Sequence, residues 1–111
     1  MNWTVVCPYL RLEPERGVAA LVDGAQVALF RVYDGDVYAL GNLDPISGAA
    51  VLSRGIVGSR GELPVVSSPM FKQAFDLTTG RCLDDHSARV AAYDVSVVDG
   101  QVLVGSRRES T

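Results

Sequence analysis

Turn signals cut this chain into pieces too short for anything but β-strands. Asp23-Gly24, Asp34-Gly35, Thr79-Gly80 and Asp99-Gly100 each stand between short runs rich in Val, Leu, Phe and Tyr. Two-residue hairpin turns that match the twist of paired strands need positive φ at their centre, and Asp-Gly supplies it cheaply. The runs so delimited are residues 3–7, closed by Pro8 as befits an edge strand, then 18–22, 26–33 and 37–40 in a meander. Further on come 63–67, 74–77, 81–83, 93–98 and 101–104. Gln26, Ala28 and Phe30 alternate with Val27, Leu29 and Arg31, and so incomplete an alternation implies a strand covered on both faces for part of its length. Residues 48–53, GAAVLS, can form a helical turn but are too few to nucleate a helix. Gly55, Gly58 and Gly61 read as punctuation of a flexible loop, and residues 106–111 as a frayed polar tail. The expected fold class is all-β, an antiparallel sandwich or partly open barrel.

Composition narrows the partners. The 111 residues make one domain, and with 48% apolar and 21% charged residues the chain buries an ordinary core. The net charge is −3 and the one adjacent basic pair, Arg107-Arg108, lies near the C-terminus, which speaks against a nucleic-acid partner. Apolar runs reach only about five residues, far short of a bilayer span, and MNWTVVCPYL lacks the pattern of a secretory signal, so a cytoplasmic protein is expected. Cys7 and Cys82 belong to no metal-binding spacing and are expected to be reduced, structural thiols.

No catalytic constellation emerges. His86 is the only histidine, and with Cys82 it falls beside Asp84 and Asp85 on a polar connector, where a solvated loop histidine is the simpler account. Asp84, Asp85 and Glu62 read as surface acids and not as a metal site, and Asp34 and Asp36 as turn residues. The Gly55-Gly58-Gly61 spacing with Arg54 and Arg60 lacks the strand-to-helix context of a phosphate loop.

The segment NLDPISGAAVLSRG and the later SSPMFKQAFDLTTG carry a resemblance. The second is similar to the second ligand loop of Rieske iron–sulfur domains through Pro69, Phe75, Asp76 and Gly80. On that resemblance Asp44 and Ile46 stand at the first Cys and His positions, and Ser68 and Phe71 at the second Cys and His positions. A [2Fe–2S] centre of this kind is held by two thiolates and two imidazoles, so the ligands are vestigial. The frame without its cluster resembles the small subunit of the cytoplasmic NAD(P)H-dependent nitrite reductases, through Asn42, Asp44-Pro45, residues 51–55, Ser68-Pro69, Lys72-Gln73, Phe75 and Gly80-x-Cys82.

That resemblance implies a Rieske-like domain over residues 1–105, with vestigial loops at about 42–55 and 67–80 forming a small subdomain at the tip, and a tail at 106–111. It also implies a non-catalytic accessory subunit without cofactor or metal. Its large partner subunit would carry FAD, siroheme and a [4Fe–4S] centre and reduce nitrite to ammonium in nitrate assimilation. Ile46 and Phe71 would refill the space of the lost cluster as a small local core. Ile46, Met70 and Phe71, with the cations Arg54 and Lys72, are also the candidates for the face that meets the partner. The competing expectation is a cluster-free Rieske-derived binding module serving another redox enzyme.

Overall fold

The computed structural model describes residues 3–70 and 72–108; residues 1–2, Phe71 and residues 109–111 are outside the described residues. Nine strands form among the described residues: β1 (Thr4–Pro8), β2 (Gly17–Val22), β3 (Ala25–Arg31), β4 (Val37–Gly41), β5 (Ile56–Arg60), β6 (Leu63–Ser67), β7 (Ala74–Asp76), β8 (Ala92–Val98) and β9 (Gln101–Arg107). Six make one antiparallel sheet in the order β1-β9-β8-β4-β3-β2, and β5-β6-β7 make a second. The first sheet curls into a nearly closed barrel and the second packs on it as a subdomain, an all-β fold.

The barrel is built by turn chemistry. Asp23 and Gly24 have φ of 49° and 81°, and Asp99 and Gly100 have φ of 51° and 76°, as the β2–β3 and β8–β9 hairpins require. Two cores follow from the alternation along β3. Val27 and Leu29 point into the barrel with Leu12, Val22, Ala39, Val102 and Val104. Ala28 and Phe30 point the other way, into a second core with Leu40, Leu52, Val57, Val66, Phe75 and Leu77. β3 is therefore covered on both faces, as its pattern implies, and the second core is what fastens the subdomain to the barrel.

The structure departs from the sequence expectations at four places. The glycine-punctuated stretch is a strand, since β5 pairs with β6 from Ile56↔Ser67 to Arg60↔Leu63. Glycine is needed at its start: a Cβ on Gly55 would lie 2.5 Å from the Ser67 carbonyl oxygen. Glycine weakens a strand on its own, and the partner strand supplies what propensity lacks. The helical turn expected over 48–53 shrinks to a 3-10 turn, Leu52–Arg54, because Ala50 instead bridges to Leu43. Residues 81–83 form no strand, only the isolated bridges Phe75↔Cys82 and Arg81↔Arg89. Arg107 pairs with Tyr93, and Arg108 donates from its backbone to Ala92 O at 2.6 Å and from its guanidinium to Thr78 O at 2.9 Å, so this part of the expected tail is tied down.

Candidate functional site: two loops joined where a cluster would sit

Asn42, buried behind β4, organises the first loop. Its Nδ2 donates to Gln26 Oε1 at 3.2 Å and to Ala50 O at 3.3 Å, while its Oδ1 accepts from Ser53 N at 2.7 Å. One amide thus satisfies the barrel and both arms of the loop, as a buried polar side chain must. Asp44 then closes the tip of that loop. Its amide donates to Ala49 O at 2.8 Å, its carbonyl accepts from Gly48 N at 2.8 Å, and its Oδ1 accepts from Ile46 N at 2.9 Å and Ser47 N at 3.4 Å.

The second loop turns about Ser68. Its amide donates to Gln73 O at 2.9 Å, its carbonyl accepts from Lys72 N at 2.9 Å, and its Oγ accepts from Met70 N at 3.2 Å. That same hydroxyl donates to Asp44 Oδ2, a short contact between two buried side chains. The two loops are therefore joined directly to each other through Asp44 and Ser68.

Burial alone would raise the Asp44 carboxyl, but the hydrogen bonds from Ser68, Ile46 and Ser47 outweigh it and hold the group below its ordinary value. Asp44 is an anion kept in place by donors. A [2Fe–2S] cluster does not fit these residues. Asp44 Oδ2 and Ser68 Oγ are in contact with no gap for two irons between them, and Ile46 has no donor atom.

The sequence-derived positions fall into distinct places. Asp44 and Ser68 meet; Ile46 is half-buried and packs against the second core. Met70 is 50% exposed, and so is a residue that sequence reasoning passed over, Leu43 at 56%. Leu43 precedes Asp44 and Met70 follows Ser68 by two, so both are carried by the loops that the Asp44–Ser68 bond joins. Arg54 is exposed at the end of the 3-10 turn, and Lys72 is exposed with φ of 64°. That φ lies in the left-handed region that glycine favours. Phe71, expected as a filler of the cluster space and as an interface residue, lies outside the described residues.

The other sequence-level candidates are structural. Asp84 binds Arg60 at 2.8 Å and accepts from Ala74 N at 2.8 Å, tying β5 to the start of β7. Asp85 accepts from Ser87 N and Oγ, and His86 is exposed. Among the described residues no group of three His, Cys, Asp or Glu could hold a metal. Cys7 and Cys82 are free thiols; burial, against the opposing pull of Arg11, pushes the Cys7 thiol up and leaves it less nucleophilic.

Residues 2–105 match the model of the Rieske-like [2Fe–2S] domain family. The nitrite reductase (NADH) small subunit of Salmonella typhimurium is 45% identical over 103 residues, covering 91% of this chain and 94% of that one. A crystal structure described as an NADH-dependent nitrite reductase small subunit from Mycobacterium tuberculosis is 52% identical, with a TM-score of 0.91 over 99% of this chain and 97% of that one. The nitrite reductase [NAD(P)H] large subunit of Klebsiella oxytoca is 42% identical over 106 residues, which are 96% of this chain but only 11% of that protein's length. By this likeness in sequence and in fold, the chain belongs to the small subunits of NAD(P)H-dependent nitrite reductase, within the Rieske-like domain family.

Proposed function

We propose that this chain is the accessory small subunit of a cytoplasmic NAD(P)H-dependent nitrite reductase, docking through its joined loops onto a large catalytic subunit that carries the FAD, siroheme and [4Fe–4S] centres. The observation that carries the partner is the Klebsiella relative, in which a domain like this one forms part of a large-subunit chain. A domain covalently attached in one organism and separate in another has a docking face to supply when separate. The Asp44–Ser68 junction supports a role in assembly and positioning over one as an electron relay, since its atoms have no redox chemistry to offer.

Met70 and Leu43 supply exposed apolar side chains at the joined loops, Ile46 a half-buried one, and Arg54 and Lys72 flanking cations. Apolar groups at the centre of a patch with charge at its rim suit a protein interface. Residues 1–105 form the docking domain on this reading.

Affinity purification of the tagged full chain from nitrate-grown cells, with mass and visible spectra of the eluate, tests the proposal. A large companion with siroheme absorption is expected. Its absence would overturn the subunit reading. Leu43→Ser combined with Met70→Ser is expected to lose the companion while melting like the parent; retention by the folded double variant would remove the tip as the docking face.

A further inference from the structure

At the far end of β7 from Ser68, the 78–80 turn, the segment leading into β8 and the end of β9 enclose a cleft of about 380 Å³. The chain has ten Lys and Arg residues and a net charge of −3, yet Arg81, Arg89, Arg107 and Arg108 all line this one cleft. Its positive potential is thus local and opposite in sign to the molecule as a whole. Arg81 and Arg89 stand directly opposite each other across an antiparallel bridge. Like charges in that position destabilise a pair of strands unless a counter-charge sits between them.

Among the described residues the carboxylates at hand are two, Asp76 and Asp94, against four arginines. Arg108 pairs with Asp94 at 3.4 Å and is anchored to Thr78 O, but Arg81, Arg89 and Arg107 make no ion pair among those residues. Asp76, the carboxylate on the cleft wall, is nearly buried, and its Oδ1 is taken by Thr78 N at 2.8 Å and Thr78 Oγ1 at 2.7 Å. Val90, Ala91 and Ala92 complete the lining and bring no charge.

We infer that this cleft binds a compact polyanion, the phosphate or diphosphate group of a small metabolite. Planar guanidiniums grip phosphate oxygens with paired hydrogen bonds. Here they come from three separate segments and surround a bounded volume. An acidic peptide fits less well, because an extended chain places side chains of one face about 7 Å apart and needs a groove along which to lie. A phosphate group concentrates its charge within a single such spacing. The cleft is separate from the joined loops, and its ligand would bind whether or not those loops dock a partner.

The test uses the full chain without any partner. Inorganic pyrophosphate is titrated at low ionic strength, with matched sodium chloride as control, and followed by calorimetry and by thermal melting. Saturable binding and a raised Tm are expected. Arg81→Gln with Arg89→Gln should weaken binding by about tenfold or more while melting no lower than the parent, and Arg107→Gln should weaken it less. Arg81→Lys with Arg89→Lys should recover part of the loss. Binding that does not saturate, or that is equal in the double Gln variant, would overturn the site. A Glu-rich peptide binding more tightly than pyrophosphate would overturn the phosphate assignment in favour of an acidic protein segment. None of these outcomes bears on co-purification with a large subunit.

Discussion

The barrel and the joined loops are stabilised by different physics within one small domain. The barrel is held by alternation: β3 sends Val27 and Leu29 inward and Ala28 and Phe30 outward, and each side is filled by apolar neighbours. The loops are held by three polar side chains, Asn42, Asp44 and Ser68, which between them satisfy backbone groups of both loops. In a cluster-bearing relative of this fold, metal–ligand bonds would tie these loops. Here a carboxylate and a hydroxyl join the two loops by a hydrogen bond. Such bonds are weaker and more sensitive to their surroundings.

This contrast can be broken experimentally, and the largest effect belongs to the core between the sheets. Phe30→Ala should cost about 3–5 kcal/mol in urea unfolding, because it opens a cavity where the barrel meets the subdomain. A cost near 1 kcal/mol would mean that the two layers are less dependent on each other than the buried Phe30 implies. Asp44→Ala comes next, at roughly 2–3 kcal/mol, since it strands the Ile46 amide and the Ser68 hydroxyl without their acceptor. Combined with Ser68→Ala in a double-mutant cycle, the pair should show coupling on the order of 1–2 kcal/mol. Zero coupling would refute the Asp44–Ser68 bond as the tie between the loops.

Acid should separate the two regions as well. The Asp44 carboxyl is held below its ordinary value, so on acidification the unfolded chain takes up a proton before the native one does. Stability from this group is therefore complete above about pH 4 and is lost as pH falls through the native-state value. Asp84, held down chiefly by its bond to Arg60, contributes with the same sign but is more exposed and counts for less. Urea midpoints compared at about pH 3 and 6 should fall less in Asp44→Asn than in the parent. An unchanged slope would place the acid sensitivity elsewhere. The smallest effect is expected at Lys72. Lys72→Gly relieves a left-handed backbone but frees the unfolded chain, so the change should stay within about 1 kcal/mol of zero. A loss beyond that would show that the lysine side chain itself holds the second loop.

Much of the barrel is legible from local chemistry alone. Asp23-Gly24 and Asp99-Gly100 demand hairpins wherever they occur, and the broken alternation from Gln26 to Arg31 already states that β3 is covered on both faces. The Leu43 exposure and the Asn42 network are not legible in the same way. A buried asparagine and a solvated one are the same letter, and only the loop folded over Asn42 makes its amide an organiser. The resemblance expected Asp44 and Ser68 at the cysteine positions and apolar filling from Ile46 and Phe71; the direct Asp44–Ser68 bond was not expected, since it depends on side chains 24 positions apart meeting in the interior.

The division has one physical cause. Turn formation and strand alternation depend on neighbours within a few residues, so the amino-acid sequence alone determined the all-β class and most hairpins. Long-range pairing decided the rest. β5 is a strand because β6 lies beside it, in spite of Gly55 and Gly58. Arg107 and Arg108 are ordered by Tyr93, Asp94 and Thr78. Arg81, Arg89 and Arg107 line one cleft because the 81–89 connector and the end of β9 converge there.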